Sequence, residues 1–186
     1  MIRERVGKGP VLEIGCGRGD DTATLIGHGH RVVAFDVSAA AVDEARARVP
    51  GAEFHRQDVR DALPVSSGGV GVVVASLSLH YFSWPETVDI VGRIRAALES
   101  PGLFLCRLNS TNDYNYGASG YPRIEPDYYL VEGRRKRFFD EASVARLFVR
   151  AWRVISMQES TTGKYGRPKV VWEIVAERYA SGGHAS

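Results

Sequence analysis

Three glycines at alternate positions, Gly15, Gly17 and Gly19, follow the apolar run Val11-Leu12-Glu13-Ile14 and lead into a segment of helical character. Without Cβ atoms such a turn takes backbone angles closed to other residues and lets a ligand approach the main chain. The helix behind it offers unpaired N–H groups at its first turn. Two acids extend the pattern. Asp36 closes the next apolar run about 20 residues on, where a carboxylate accepts hydrogen bonds from both hydroxyls of an unsubstituted ribose. Asp58 follows Phe54-His55-Arg56-Gln57, and an acid there can accept from an adenine exocyclic amine. Nicotinamide and flavin enzymes place Gly-x-Gly-x-x-Gly at the same turn, whereas the spacing here is Gly-x-Gly-x-Gly.

A second group of candidates lies further along. His80 and Tyr81 fall just after the fourth apolar run, at the edge where open α/β sheets bind ligands. His80 reads either as a general base or as a structural histidine. Asn109 ends the fifth run and opens a segment carrying Tyr114 and Tyr116, whose rings could hold a planar or cationic acceptor. Trp84, before Pro85, is expected to pack the following helix. Arg134-Arg135-Lys136-Arg137 is a concentrated basic run, but adjacent side chains in an extended segment point to opposite faces. The five histidines are scattered and the two cysteines unpaired, so no metal site is expected.

These residues need elements to position them. The 186 residues, 44% of them hydrophobic, suffice for one core, read as a single domain over residues 1–180 with 181–186 as a disordered tail. Short apolar runs at Val11 to Ile14, Val32 to Phe35, Ala52 to Arg56, Val70 to Ala75 and Leu103 to Leu108 read as parallel strands. Helices are predicted over Thr22 to Ile26, from the Ser38 cap to Val49, over Glu86 to Leu98, and over Glu141 to Phe148 behind Asp140. The alternation demands a doubly wound sheet. Arg153 to Glu159 and Val170 to Glu177 read as an antiparallel pair. Asn109 to Arg137 is too long for an ordinary connector and is expected to be functional or mobile.

The balance of 24 basic and 22 acidic residues is too even to argue a nucleic-acid or anionic-membrane partner. Two cysteines make no disulfide framework, and Met1-Ile2-Arg3-Glu4-Arg5 has no apolar leader pattern, so a cytoplasmic protein without a membrane partner is expected.

Taken as a set, Glu13-x-Gly15-x-Gly17-x-Gly19, Asp36, Asp58 and the run through Ala75-Ser76-Leu77 resemble the class I S-adenosylmethionine-dependent methyltransferases, in register from Gly9 to Leu108. The resemblance implies an α/β, Rossmann-like, doubly wound and mostly parallel seven-stranded sheet with an antiparallel C-terminal strand. It implies that Glu13, Gly15, Cys16, Gly17 and Gly19 hold the amino-acid end of S-adenosylmethionine, Glu13 through its ammonium or a water. Asp36 would take the ribose, Val37 would border the adenine, Asp58 and Val59 would address its edge, and the Ala75 and Ser76 backbone would face the methionine part.

The implied reaction is methyl transfer to a small-molecule acceptor, as in the compact bacterial members, leaving S-adenosylhomocysteine. His80 is then the catalytic candidate, and His80, Tyr81, Asn109, Tyr114 and Tyr116 form the acceptor side. Two other classes stay open: a methyltransferase acting on RNA or protein through the basic run, and a non-catalytic S-adenosylmethionine-binding protein. Family members carry helices ahead of strand one, which here begins near residue 10. That covering role falls to Asn109 to Arg137, to a second subunit in a homodimer, or to a segment missing from this chain.

Overall fold

The computed structural model describes residues 9–149 and 151–179. The first five residues and the tail at 181–186, both read from sequence, lie outside the described residues. Seven strands form one sheet: β1 (Val11–Ile14), β2 (Val32–Asp36), β3 (Glu53–Arg56), β4 (Val70–Ser76), β5 (Leu98–Asn109), β9 (Trp152–Thr162) and β10 (Lys169–Arg178). Their order is β3-β2-β1-β4-β5-β10-β9, and β10 runs antiparallel to both of its neighbours. The fold class implied by the sequence is therefore the one adopted.

Strand alternation divides the core. Leu12, Ile14, Phe35, Val73 and Phe104 face α3 (Trp84–Ala97) and α4 (Glu141–Leu147), packing on Ile90, Ile94, Val144 and Leu147. Their sequence neighbours Val11, Ala34, Val72 and Leu103 face the other way, toward α1 (Asp20–Gly27) and α2 (Ala39–Arg48), where Val42 and Ala45 are buried. Apart from Glu13 and the terminal Asp36, both faces of β1 and β2 are thus apolar, as a parallel sheet with helices on both sides requires.

The helix starts depart from expectation in instructive ways. The first helix begins at Asp20, two residues early, because Gly19 stands at its N-cap with φ 83. The third begins at Trp84 rather than Glu86. Ser83 is its cap, and Glu86 reaches back to accept from the Ser83 N–H at 2.9 Å, a capping box legible as Ser-x-x-Glu. Trp84 packs on the core beneath the Arg146 guanidinium, 4.4 Å from its ring. At the fourth helix, Asp140 caps as expected and accepts from the Ser143 N–H at 2.8 Å.

The larger difference concerns Asn109 to Arg137, which carries elements of its own. After a short 3₁₀ turn at Tyr114–Tyr116 it folds into a three-stranded antiparallel sheet, β6 (Arg123–Glu125), β7 (Tyr128–Val131) and β8 (Arg134–Arg137). Tyr128 to Val131 is an aromatic and β-branched run. Glu132 and Gly133 both take positive φ, 51 and 76, the requirement of a two-residue hairpin. Ala118, Val131 and Phe138 give this sheet a small core of its own.

Candidate functional site at the carboxyl edge of the sheet

The glycine turn leaves β1 at the carboxyl edge. Gly15 has φ 72, and a Cβ there would stand 2.4 Å from the Ser78 Cβ, so only glycine lets the turn lie against the segment after β4. Gly17, with φ 52, has open space where a Cβ would be. Its N–H donates to Asp36 Oδ2 at 3.0 Å, and the Ser38 N–H donates to Oδ1 at 2.9 Å. Two backbone amides thus aim the carboxylate that ends β2. Remaining lone pairs on both oxygens stay available to a ribose.

Asp58 is held differently. Arg60 grips both of its oxygens, at 3.0 Å through Nε and 2.7 Å through Nη2, and keeps the carboxyl below the usual aspartate range. Asp36, Val37, Asp58 and Val59 line one cavity of about 640 Å³ together with Gly15. Four strand ends converge there because the parallel strands all point their C-termini at this edge. Val37 is 64% exposed, as a residue that borders a ligand plane would be.

Other expected cofactor residues fall outside that cavity. Glu13 is buried on the α1 face of β1, where the Thr22 hydroxyl donates to it. Burial pushes its carboxyl up to about 7 against the pull of that hydrogen bond. Cys16 is buried in the α2-side core, and burial raises its thiol to about 12, so it is an inert packing residue. Ala75 is fully buried, and Ser76 lines a separate groove with Thr24, Leu25, Leu105 and Val175. Gly19 packs toward Ala45 and Val49.

The acceptor-side candidates divide as well. Tyr81 lines the cavity. His80 does not: it is 6% exposed, its Nδ1 has no partner, and burial together with Lys169 and Lys136 pushes its imidazole down to about 3. It is fixed from behind, because the Arg137 N–H donates to its carbonyl at 2.7 Å. Asn109 is buried with Oδ1 unpartnered and away from the cavity lining. Tyr114 is 67% exposed. Tyr116 points to a different hollow, its hydroxyl donating to the Tyr165 carbonyl at 2.5 Å and its ring facing Lys169 Nζ at 4.4 Å. The tyrosine segment therefore does not form the mouth of the cavity.

Several lining residues were not anticipated. Leu77 and Ser78 follow β4, and Leu77 carries φ 56, a left-handed angle that a branched side chain adopts only when its surroundings impose it. Phe82, Glu86 and Tyr128 make the far wall, and Arg60, Arg134 and Arg135 bring charge to it. The basic run itself is split. Arg137 is buried, paired with Glu125 and stacked on Tyr128 at 4.6 Å, whereas Arg134 and Arg135 are exposed at the cavity.

A seven-stranded sheet with this order, a reversed β10, and a glycine turn tied to an acid at the end of β2 define the class I methyltransferase architecture. Residues 11–102 match the family described as "Methyltransferase domain", and the architecture is that of S-adenosylmethionine-dependent methyltransferases. It is 32% identical over 100 residues to a trans-aconitate 2-methyltransferase of Paracidovorax citrulli, 53% of this chain and 38% of that protein. An uncharacterized methyltransferase of Synechocystis sp. is 31% identical over 94 residues, 50% of this chain and 44% of that protein. The chain spans under half the length of these curated relatives.

Among solved structures, an S-adenosylmethionine-dependent methyltransferase of Methanosarcina mazei superposes with TM-score 0.78 at 15% identity, covering 96% of each chain. The Burkholderia thailandensis 1,6-didemethyltoxoflavin-N1-methyltransferase, with its acceptor and S-adenosylhomocysteine bound, gives TM-score 0.71 at 23% identity over 92% of this chain and 72% of that one. Among the described residues no helix is long and apolar enough to cross a membrane, and no cluster of His, Cys, Asp and Glu could hold a metal.

Proposed function

We propose that this chain transfers the methyl group of S-adenosylmethionine to a small-molecule acceptor. The observation that carries the reading is Asp36, aimed by two backbone amides into a cavity that also presents Asp58 and Val59. Those residues fit an adenosine: Asp36 accepts from the ribose hydroxyls, Asp58 from the exocyclic amine, and Val37 and Val59 flank the base. Gly15, where the glycine turn meets the same cavity, serves the amino-acid end.

When bound, S-adenosylmethionine supplies an electrophilic methyl group on a sulfonium. The protein's part is alignment and exclusion of water. Tyr81, Phe82 and Tyr128 wall the cavity beyond the adenosine residues and supply that cover. The small-molecule reading has support from relatives and fold neighbours named for trans-aconitate and 1,6-didemethyltoxoflavin. It also has support from the basic run, which offers no continuous strip to a polymer because Arg137 is consumed internally. A cytoplasmic setting belongs to the same reading, favoured by two buried, unpaired thiols.

Calorimetric titration with S-adenosylmethionine and S-adenosylhomocysteine tests it. Saturable binding of both, followed by S-adenosylhomocysteine release in the presence of a small acceptor, is the expected result. Absence of binding to either sinks the proposal.

A further inference from the structure

The acceptor end of the cavity has an unbalanced charge. Its carboxylates are all engaged: Asp36 by the Gly17 and Ser38 amides, Asp58 by Arg60, and Glu86 by the Ser83 cap and by Arg60 at 3.6 Å. Among the described residues, no carboxylate comes within ion-pair distance of Arg134 or Arg135. Two guanidiniums therefore border the cavity with no protein anion opposite them.

The wall beside them is fixed by Tyr128, whose hydroxyl donates to the Tyr81 carbonyl at 2.9 Å. Tyr81 lines the same cavity, within electrostatic reach of both Asp36 and Arg134. The third arginine of the strand shows the contrast: Arg137, two residues beyond Arg135, is neutralised by Glu125.

The lining groups carry a second message. The cavity contains no histidine, its three carboxylates are committed, and burial raises the phenols of Tyr81 and Tyr128 above their ordinary range. Nothing there is poised to take a proton at neutral pH. An acceptor for this cavity must bring a nucleophile that is already deprotonated.

We infer that the acceptor is an organic acid, its carboxylate set toward the methyl donor by Arg134 and Arg135, and that the product is a methyl ester. The inference rests on the methyl-transfer reading above and names its substrate class. A carboxylate oxygen lone pair attacks the methyl carbon as the carbon–sulfur bond breaks, its electron pair passing to sulfur. One negative and one positive charge cancel, and no proton moves. A second carboxylate on the same molecule would remain on the arginines after transfer.

The test begins with a control on the underlying reading. If S-adenosylmethionine fails to bind, methyl transfer itself is wrong. If it binds, two pools are offered with labelled S-adenosylmethionine at pH 7.5: mono-, di- and tricarboxylic acids, and amines, phenols and thiols. The expected outcome is S-adenosylhomocysteine formation in the acid pool, with a product that releases labelled methanol in mild alkali. Arg134→Gln with Arg135→Gln should raise KM for the accepted acid roughly tenfold or more through lost charge-assisted hydrogen bonds, with cofactor affinity kept. Turnover only in the second pool, no turnover in either, or an acid KM indifferent to both substitutions overturns the inference.

Discussion

The Gly17 N–H donates to Asp36 Oδ2 at 3.0 Å, so the glycine turn and the acid that ends the second strand are one unit. Neither moves without the other. Asp36→Ala removes both the acceptor for a ribose and the anchor of the turn. Binding of S-adenosylmethionine should weaken by about 1.5–3 kcal/mol, the range for hydrogen bonds to a charged group, or roughly 10- to 100-fold. Calorimetry reads this directly, and an unchanged affinity would move the ribose elsewhere.

Gly15 and Gly17 share a left-handed backbone but not a neighbourhood. A Cβ at Gly15 meets Ser78 at 2.4 Å, while one at Gly17 meets nothing. Gly15→Ala should therefore cost more stability than Gly17→Ala, whose penalty is the left-handed strain of about 1–2 kcal/mol alone. Thermal melts of the two variants check the ranking, and Gly15→Ala with Ser78→Gly should recover part of the loss.

Two buried titratable groups tilt stability in opposite directions. Glu13 ionises near 4.5 in the unfolded chain and near 7 when folded, so its stabilising contribution is complete below pH 4.5 and is lost as pH rises through 7. His80 protonates near 6.5 when unfolded and only near 3 when folded, so its contribution is complete above pH 6.5 and is lost as pH falls through 3. Glu13→Gln should flatten the alkaline decline by on the order of 2–3 kcal/mol, and His80→Asn should flatten the acid one. Urea unfolding at pH 4.5, 5.5 and 7 separates the two. The pH profile of turnover should show no inflection that His80→Asn removes.

Asp113 and Lys169 form a buried ion pair at 2.7 Å, and the Val170 N–H donates to the other Asp113 oxygen at 3.1 Å. Lys169→Met strands a buried carboxylate and should cost about 3–5 kcal/mol. Adding Asp113→Asn removes the stranded charge while keeping an acceptor for Val170. A double-mutant cycle should return a substantial positive coupling, and strict additivity would contradict a cooperative pair.

The legible half of the site is the half built from local signals. Gly15, Asp36 and Asp58 each sit where a strand ends, and parallel strands bring such ends together without further information. The acceptor side is different. Tyr116 was expected at the cavity, but its direction is fixed by Tyr165, and Asn115 beside it is held by the Pro168 carbonyl at 2.8 Å. Those partners lie some 50 residues away and leave no trace in the local sequence. His80 was read by position, and its carbonyl is held by the Arg137 N–H, equally remote. By contrast, the Glu132-Gly133 hairpin and the Ser83-x-x-Glu86 box were local signals that the dominant helix-strand rhythm obscured.

One consequence follows from the reversed strand. The chain leaves the sheet at Asn109, returns to it in β9 at Trp152, and then in β10 sets Val171 directly opposite Asn109. The 3₁₀ turn, the small β6-β7-β8 sheet and α4 therefore form one excursion between two strands of the same sheet, and α4 packs back on the main core through Val144 and Leu147. Every residue assigned to adenosine lies before that excursion, and Arg134 and Arg135 lie within it. Donor recognition and the proposed acceptor contacts thus fall on two successive stretches of one chain, joined through a shared core.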